Sequence, residues 1–460
     1  MRLSIVGLGK LGAPMAAVMA AKGHTVLGVD VSASAVNALN EGRAPVQEPG
    51  LGELIQKNRE RLSATTDYRD AVMNTDVTFV IVPTPSEPDG EFSLRYVLQA
   101  AEHIGSALRR KSGYHVVALS STVMPGATGG KLLPALEHFS GKQCGADFGL
   151  CYNPEFVALG SVIRNMLRPD LILIGEYDRR SGDVLEELYR GVCESQPSVA
   201  RMNFVNAELT KLSVNTFVTT KISYANMLAQ VCETLPGADV DVVTAAIGTD
   251  SRIGRKYLRG ALGYGGPCFP RDNVAFAALA RRQGVPATLA EATDALNRRQ
   301  APRLAEMILA RLPKDGTAGV AGLSYKPDTS VVEESQGLAL ARYLLAKGAA
   351  VIVYDPLAME NAQRMLQGNV TFARSLADCA ARADVLALAT AWPEFKRLSP
   401  ADLNQSNGRP TVIDCWRILE REKFEPVADY LTLGAGIDEE PLDRLRLAEE
   451  SLAKAQVQGD

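Results

Sequence analysis

The chain has few of the residues that build metal centres and disulfide frameworks. It has four histidines in 460 residues, and none stands at a spacing typical of zinc ligands. Its seven cysteines include no Cys-x-x-Cys pair, and an odd number argues against a complete set of disulfides. These absences predict a reducing, cytoplasmic location and no bound metal.

The chain also lacks an excess of positive charge and a long apolar run. Its 49 basic and 53 acidic residues give a formal net charge of −4, so we expect no surface for nucleic acid. The apolar stretch 11–21 is too short to span a bilayer and has no clear cleavage site. Neither nucleic acid nor a membrane is therefore an expected partner.

A glycine-rich loop lies near the N-terminus, between a predicted strand at 3–6 and an apolar helix that begins at Ala13. The next predicted strand ends at Asp30, as in dinucleotide-binding folds. Glycines let a pyrophosphate approach the helix N-terminus, and Asp30 can accept hydrogen bonds from a ribose diol. A negative charge there favours NAD over NADP. The predicted cofactor contacts of this unit are Gly7, Gly9, Leu11, Gly12 and Asp30.

Further strand-like runs alternate with helical patterns at 77–82, 116–120, 148–152 and 171–175. Such alternation predicts a parallel, doubly wound sheet. Polar loops follow three of these strands, and function in such sheets collects at the carboxyl ends of the strands. Further cofactor contacts are therefore expected at Thr84, Pro85, Thr122 and Glu155.

One long helix is predicted from Asn206 to about Leu235, because this stretch contains no glycine or proline. Lys211 and Asn215 are four residues apart and share a face of it. A helix this long and apolar is expected to be buried between domains or at a subunit interface. A lysine there needs a polar pocket.

The loop 263–272 contains three glycines, two prolines, Cys268 and Asp272. We expect a helix to resume near Val274, and a helix start favours the thiolate form of a nearby cysteine. The alternative is a structural turn with an inert cysteine. Arg252 precedes this loop and can clamp an anion.

The last part of the chain repeats the α/β pattern without a GxGxxG motif. Predicted strands lie at 317–323, 350–354, 384–389 and 411–414, and Lys326-Pro327-Asp328-Thr329 follows the first of them. A mononucleotide or a nucleotide sugar is the expected ligand. The predicted fold is α/β, with two Rossmann-like doubly wound domains joined by a central helical domain with one long helix. We expect domains at 1–200, 201–300 and 301–443, and a helical or disordered tail at 444–460.

Over residues 1 to about 425 these motifs resemble, in order, those of the UDP-glucose/GDP-mannose dehydrogenases. The matching segments are Gly7–Gly12, Ser121-Thr122-Val123, Asn153-Pro154-Glu155-Phe156, Lys211 with Asn215, Gly265–Asp272, and Lys326-Pro327 with Thr329. The resemblance implies oxidation of the C6 alcohol of a nucleotide sugar to a uronate with two NAD, UDP-glucose being the first choice of substrate. It also implies a homodimer.

The resemblance assigns roles to individual residues. Cys268 is the implied nucleophile, which forms a thiohemiacetal and then a thioester. Lys211 and Asn215 stabilise oxyanions, Asp272 assists with water, Thr122 orders that water, and Glu155 serves acid/base hydrolysis. The implied substrate contacts are Phe156, Lys211, Asn215, Arg252 (across the dimer), Tyr257, Gly265, Lys326 and Arg417. The chemistry agrees independently, since a covalent thiol adduct lets a second hydride leave an sp3 carbon.

Three positions depart from the family pattern. Leu159 stands where a second glutamate is common, four residues after Glu155; in a short helix the two residues would share a face. Glu333 replaces an arginine that reaches the cofactor, and Lys10 replaces a frequent tyrosine. The first departure bears on hydrolysis and the second on cofactor contact across the interface.

Other functions remain open at this point. The start of the chain also resembles the two-electron β-hydroxyacid dehydrogenases, which have no need of a cysteine loop or a third domain. A non-catalytic nucleotide-sugar binder is a third reading. Within the resembled family, another UDP-hexose or N-acetylhexosamine, or GDP-mannose, is an alternative substrate.

Overall fold

The computed structural model describes residues 1–404, 406 and 408–436. The chain forms two compact units, a first unit of residues 1–217 and 268–291 and a second unit of 218–267 and 292 onwards. The domain limits at 200, 300 and 443 stay predictions, and the predicted tail at 444–460 lies outside the described residues.

An eight-stranded sheet forms the centre of the first unit, in the order β3-β2-β1-β4-β5-β6-β7-β8. Its strands are β1 Arg2–Val6, β2 Thr25–Val29, β3 Leu62–Thr65, β4 Val77–Val80, β5 Val116–Leu119, β6 Gly149–Tyr152, β7 Leu171–Glu176 and β8 Ser198–Met202. Strands such as β4, β5 and β6 are buried along their whole length, which explains their continuous apolar sequences.

One strand pair departs from the predicted parallel sheet. Strands β6 and β7 run antiparallel, with Tyr152 opposite Gly175. The expectation of a wholly parallel sheet was therefore wrong at this pair. Strand direction was not readable from the sequence, because a strand buried on both faces has the same apolar composition in either direction.

Helices connect and cover these strands. They are α1 Gly12–Ala21, α2 Ala33–Asn40, α3 Leu51–Lys57, α4 Tyr68–Asn74, α5 Arg95–Leu108, α6 Leu133–Ser140, α7 Val162–Leu167 and α8 Arg179–Val192. The apolar helix α1 is buried along nearly its whole length, which brings the preceding glycine loop against the core. Gly23, with φ 91°, lies just beyond its end.

The helical region follows with α9 Phe204–Glu233, α10 Val240–Ile247, α11 Phe269–Arg282, α12 Thr288–Arg298 and α13 Gln300–Leu309. Helix α9 has 30 residues, which confirms the long helix. The limit between the two units falls inside it, after Phe217. None of the helices in the described part of the chain is long and apolar enough to cross a membrane.

A second sheet lies in the second unit, in the order β11-β10-β9-β12-β13-β14, with every pair parallel. Its strands are β9 Thr317–Ala321, β10 Ala350–Tyr354, β11 Val370–Phe372, β12 Val385–Leu388, β13 Thr411–Asp414 and β14 Asp429–Thr432. Its helices are α14 Gln336–Ala346, α15 Met359–Gln363, α16 Leu376–Ala380 and α17 Arg421–Phe424. The predicted fold class, two Rossmann-like domains joined by a helical region, is confirmed.

Candidate active site

One face of helix α9 holds three buried polar side chains, Glu208, Lys211 and Asn215. Their relative exposures are 0%, 7% and 7%. The spacing of three and then four residues brings them onto the same side of the helix. A buried polar group needs a hydrogen-bond partner, so each of these three side chains is expected to form a defined polar contact. Glu208 and Lys211 contact two different loops of the first unit, and Asn215 contacts helix α11.

Lys211 contacts the loop that follows β6. Its Nζ donates a hydrogen bond of 2.7 Å to the backbone carbonyl of Glu155. The same Nζ lies 4.6 Å from the centroid of the Phe156 ring, a cation–π contact. The polar pocket expected for Lys211 is thus built from Glu155 and Phe156, two residues that the sequence had selected as site candidates.

Asn215 contacts the helix that carries the cysteine. Its Nδ2 donates a hydrogen bond of 2.6 Å to one carboxylate oxygen of Asp272, which is fully buried. The other oxygen accepts from Arg271 at 3.1 and 3.2 Å. An amide and a guanidinium therefore hold the Asp272 side chain in place. Arg271 was not among the predicted site residues. Its position directly before Asp272 in the sequence was the only feature that could have indicated it.

Cys268 occupies the N-cap position of α11. The helix begins at Phe269, five residues before the predicted start at Val274, so that expectation was wrong. The reason is that Pro270 lies in the first turn, where a proline is tolerated because the backbone N–H groups there have no partner within the helix. Cys268 is exposed, whereas the other six cysteines are buried or half-buried. Cys268 thus lies at the positive end of the α11 helix dipole.

Thr84 and Thr122 lie in neighbouring loops at the carboxyl ends of β4 and β5. Thr84 Oγ1 donates a hydrogen bond of 2.7 Å to the Thr122 carbonyl. Arg271 Nη1 donates a long hydrogen bond of 3.5 Å to the Thr84 carbonyl, and its guanidinium stacks over Phe92 at 4.7 Å. Arg271 therefore connects a predicted catalytic carboxylate, Asp272, with a predicted cofactor loop.

Glu208 is a site residue that the sequence analysis missed. Its two carboxylate oxygens accept hydrogen bonds from the backbone N–H groups of Gly126 and Thr128, at 2.6 and 2.7 Å. Burial raises the pKa of Glu208, and these hydrogen bonds oppose the rise. The residue fixes the loop after β5, which contains Thr122. The sequence feature that could have indicated Glu208 is an acidic residue one turn before Lys211 in an otherwise apolar helix.

Glu155 lies in a loop, with its carboxyl group close to helix α8. Tyr189 Oη lies 3.0 Å from Glu155 Oε1 and 2.7 Å from Asn153 Oδ1. Burial raises the pKa of Glu155, while the tyrosine hydroxyl and the charge of Lys211 lower it. Tyr189 was not predicted as a site residue, because it lies 34 residues from Glu155 in the sequence.

Leu159, which stands where a second glutamate is common in the family, does not lie in a helix with Glu155. Residues 153–158 are outside any helix, and α7 begins at Val162, so the expectation of a shared helical face was wrong. Leu159 packs against the apolar core of the first unit. Glu48 fixes the end of this loop, because its carboxylate accepts from the N–H groups of Gly160 and Val162 at 2.7 Å each.

The glycine loop after β1 fits a dinucleotide. A Cβ on Gly7 would lie 2.2 Å from the Ile81 carbonyl oxygen, and one on Gly12 would lie 1.8 Å from the Gly7 oxygen. Gly9 has nothing within 4 Å of that position, which leaves room for a ligand to approach the backbone. The Asp30 carboxylate accepts from the N–H groups of Leu8 and Ser32 at 2.7 and 2.8 Å.

In the second unit, the glycines before Cys268 pack closely on the segment after β9. A Cβ on Gly265 would lie 2.3 Å from the Glu334 carbonyl oxygen. Gly266 has φ 85°, and its N–H donates to the Glu333 carbonyl at 3.0 Å. Glu333, one of the three departures, thus holds this loop through its backbone. Lys326 belongs to the same segment.

The remaining predicted substrate contacts, Arg252, Tyr257 and Arg417, lie apart from this loop in the sequence. The side chain of Arg252 is 86% exposed, and its guanidinium pairs with the Asp250 carboxylate at 2.6 Å. Arg417 donates to both oxygens of Asp239 at 2.6 and 2.8 Å. Tyr257 and Arg417 both have positive φ, at 63° and 53°. Such backbone strain in non-glycine residues is concentrated at functional sites.

The second sheet has a carboxylate at the position that Asp30 occupies in the first. Asp355 follows β10, but both oxygens of its carboxylate already accept hydrogen bonds from the protein. One oxygen accepts from the Leu323 and Ser324 N–H groups at 2.8 and 2.9 Å, and the other from Leu357 and Ala358 at 2.9 and 2.8 Å. Each oxygen of Asp355 thus accepts from at least two backbone N–H groups, whereas each oxygen of Asp30 accepts from one. This agrees with a ligand other than a dinucleotide in the second unit.

Family models match most of the chain. The NAD binding domain of the UDP-glucose/GDP-mannose dehydrogenase family matches residues 1–193, its central domain matches 205–299, and its UDP binding domain matches 319–421. The resemblance, and NAD as the cofactor, are thereby confirmed.

Named relatives cover nearly the same span. The UDP-glucose 6-dehydrogenase AglM of Haloferax volcanii is 39% identical over 427 residues, 92% of this chain and 98% of that protein. A GDP-mannose 6-dehydrogenase of Pseudomonas aeruginosa is 36% identical over 359 residues, 77% of this chain and 81% of that protein.

A solved structure has the same fold. The UDP-glucose dehydrogenase of Pyrobaculum islandicum superposes with a TM-score of 0.85 at 36% identity, covering 95% of this chain and 98% of that one. Matches to the central and UDP-binding domains argue against a β-hydroxyacid dehydrogenase, and the enzymatic relatives argue against a non-catalytic binder. The chain therefore belongs to the UDP-glucose/GDP-mannose dehydrogenase family, and it is an NAD-dependent nucleotide-sugar 6-dehydrogenase.

Proposed function

We propose that this enzyme oxidises the C6 alcohol of UDP-glucose to the carboxylate of UDP-glucuronate, through a covalent adduct on Cys268. The observation that carries the proposal is the buried face of α9. From this face Lys211 contacts the Glu155 loop and Asn215 contacts Asp272, one helical turn beyond Cys268. A nucleophile, a cation and carboxylates are thus held on connected elements of one unit.

NAD supplies the hydride acceptor when bound, twice for each uronate formed. Removal of the first hydride and the alcohol proton gives an aldehyde, to which the Cys268 thiolate adds. The resulting thiohemiacetal again has a hydrogen on an sp3 carbon, so a second oxidation is possible and gives a thioester. Water then adds to the thioester carbon, the C–S bond breaks, and Cys268 leaves as a thiolate. The products are a carboxylate, two NADH and three protons.

The charged groups of the site suit this series of reaction steps. Lys211 is a buried cation that can stabilise the oxyanion at C6, with Asn215 as a second donor. Asp272, held by Asn215 and Arg271, is fixed in position and can orient water. Glu155, whose pKa is raised by burial, can accept a proton from the attacking water and release it afterwards. Thr122 is proposed to order that water.

Phe156 is a proposed substrate contact of the first unit. The nucleotide half of the substrate is proposed to bind residues of the second unit. The proposed contacts there are Arg252, Tyr257, Gly265, Lys326 and Arg417. The UDP binding domain model over 319–421 supports a nucleoside diphosphate in this part of the chain. The cofactor contacts are proposed to be Gly7, Gly9, Leu11, Gly12, Asp30, Thr84, Pro85, Thr122 and Glu155. A cytoplasmic location remains a prediction.

UDP-glucose is proposed over GDP-mannose because the UDP-glucose relative is more similar and covers more of both chains. The test is a panel of UDP-glucose, UDP-N-acetylmannosamine, UDP-N-acetylgalactosamine and GDP-mannose with NAD, scored by the initial rate of NADH formation. We expect kcat/KM for UDP-glucose to exceed that for every other sugar nucleotide by about tenfold or more. A higher kcat/KM for any other member would overturn this choice of substrate.

A further inference from the structure

We propose that Tyr189 is a positioning residue that keeps the Glu155 carboxyl group in one place through both of its protonation states. The proposal rests on the proposed function, in which Glu155 handles a proton during hydrolysis of the thioester. Tyr189 lies on α8 and belongs to none of the sequence segments in which the resemblance to the family was found.

The hydroxyl of Tyr189 lies between two acceptors. It is 2.7 Å from Asn153 Oδ1 and 3.0 Å from Glu155 Oε1. The amide of Asn153 is oriented, because its Nδ2 donates to the Leu173 carbonyl at 2.9 Å and thereby turns Oδ1 towards the tyrosine. Tyr189 is 4% exposed and Asn153 is 2% exposed, so water does not replace these contacts readily.

A hydroxyl group has one proton to donate and lone pairs to accept. When Glu155 is ionised, Tyr189 can donate its proton to the carboxylate. When Glu155 is protonated, the carboxylic acid can donate to Tyr189 Oη, while the tyrosine turns its proton to Asn153. Both states therefore keep a hydrogen bond at the same oxygen, with no movement of the loop. Burial raises the pKa of Tyr189 well above its ordinary value, so it remains a neutral hydroxyl.

Glu155 needs such support because it belongs to a loop. Lys211 fixes its backbone carbonyl at 2.7 Å but does not fix its carboxyl group through that contact. Leu159, at the place of the common second glutamate, offers no hydrogen bond. In the proposed hydrolysis the water proton passes to Glu155, and a carboxyl group that rotated away after protonation could not return it.

The groups that face Glu155 come from several elements. Tyr189 belongs to α8, and Cys193 directly follows that helix. Lys211 belongs to α9, and the charge of Lys22 acts on Cys193. The Tyr189 hydrogen bond and the Lys211 charge lower the pKa of Glu155, against the effect of burial. Burial and the Glu155 charge raise the pKa of Cys193 to about 11, so this thiol stays neutral near pH 7. Loss of the tyrosine hydroxyl should therefore raise the pKa of Glu155 further.

The test is Tyr189→Phe, which removes the hydroxyl and keeps the ring. We expect kcat to fall about tenfold, a covalent adduct to accumulate on Cys268, and KM for both substrates to stay near the wild-type value. The limb of the pH–kcat profile that reports Glu155 should move to higher pH. The matched control is Tyr114→Phe, which removes a hydroxyl without a hydrogen-bond partner among the described residues, at the opposite end of the sheet.

A second variant guards against loss of folding. Replacement of Tyr189 by 3-fluorotyrosine keeps the ring and the hydroxyl and makes the proton a stronger donor, so the same limb should move to lower pH. Opposite movements in the two variants support the proposal. If both variants keep the wild-type kcat and pH profile, as Tyr114→Phe should, the proposal is wrong. Wild-type enzyme run alongside separates this outcome from failure of the proposed function, which would appear as one NADH per substrate.

Discussion

At the scale of single residues, the burial of Glu155 should make the folded protein less stable as this group ionises. Its pKa is raised above the ordinary value of 4.5, and burial is the largest cause. When pH rises above about 4.5, the unfolded chain loses this proton first, which stabilises the unfolded state. The penalty grows until the pH passes the raised pKa and is constant above it. The buried carboxyl group of Glu155 thus lowers the stability of the folded protein above this pH.

We therefore expect Glu155→Gln to stabilise the protein at neutral pH relative to the wild type. The glutamine keeps an oxygen that accepts from Tyr189, and it cannot ionise. Thermal unfolding measured near pH 4 and near pH 8 should show a gain in Tm that is larger at the higher pH. Glu187→Gln, an exposed position on α8, is the control and should show no such gain. An equal effect of Glu155→Gln at both pH values would contradict this account.

The residues with reactive side chains were predictable, whereas their partners were not. Cys268, Lys211 and Asn215 stood out by residue type and spacing. Tyr189, Glu208 and Arg271 are ordinary helix residues whose contacts join distant parts of the sequence, so local patterns carry no sign of them. The start of α11 at Phe269 was not predicted, because Pro270 is a residue typical of turns and was therefore assigned to the preceding loop.

At the scale of elements, helix α9 has an apolar stripe as well as its polar face. Phe217, Tyr224, Met227 and Val231 are exposed by 67%, 47%, 42% and 48%, and their spacing of seven, three and four residues brings them onto one side. An apolar stripe of this length is normally covered, and in a two-fold symmetric dimer a second copy of the same helix would cover it. The homodimer is therefore proposed to form through α9.

A double variant tests this proposal. Tyr224→Glu combined with Met227→Glu places charges in the proposed interface, which should cost about 3 kcal/mol or more in dimer stability. Light scattering at micromolar concentration should give a dimer for the wild type and a monomer for the variant. Val242→Glu, at a 68% exposed position on α10, should remain a dimer. A monomeric wild type would contradict the proposal.

The length of α9 was predictable to within two residues at each end, because an uninterrupted apolar helix has a clear sequence pattern. The face that holds Lys211 and Asn215 followed from their spacing. The antiparallel pairing of β6 and β7 did not, because it depends on the path of the chain between them.

At the scale of the whole molecule, the chain contains the same sheet topology twice. Strands β3-β2-β1-β4 and β11-β10-β9-β12 have equivalent order. In both halves a helix glycine lies against a loop glycine, since a Cβ on Gly12 or on Gly337 would come within 1.8 Å of the Gly7 or Gly322 oxygen. The sequence shows no usable repeat, because the second loop runs from Gly322 to α14 and lacks the short glycine motif.

The central claim is a four-electron oxidation through Cys268, and the most direct measurement is the number of NADH formed per nucleotide sugar consumed. NADH is followed by absorbance, and the sugar nucleotides are quantified by chromatography after complete reaction. We expect two NADH and one uronate for the wild type and for Cys379→Ala, which removes a buried thiol of helix α16. Cys268→Ser should form no uronate while still binding NAD. One NADH per sugar with an aldehyde as the final product, or full uronate formation by Cys268→Ser, would contradict the account.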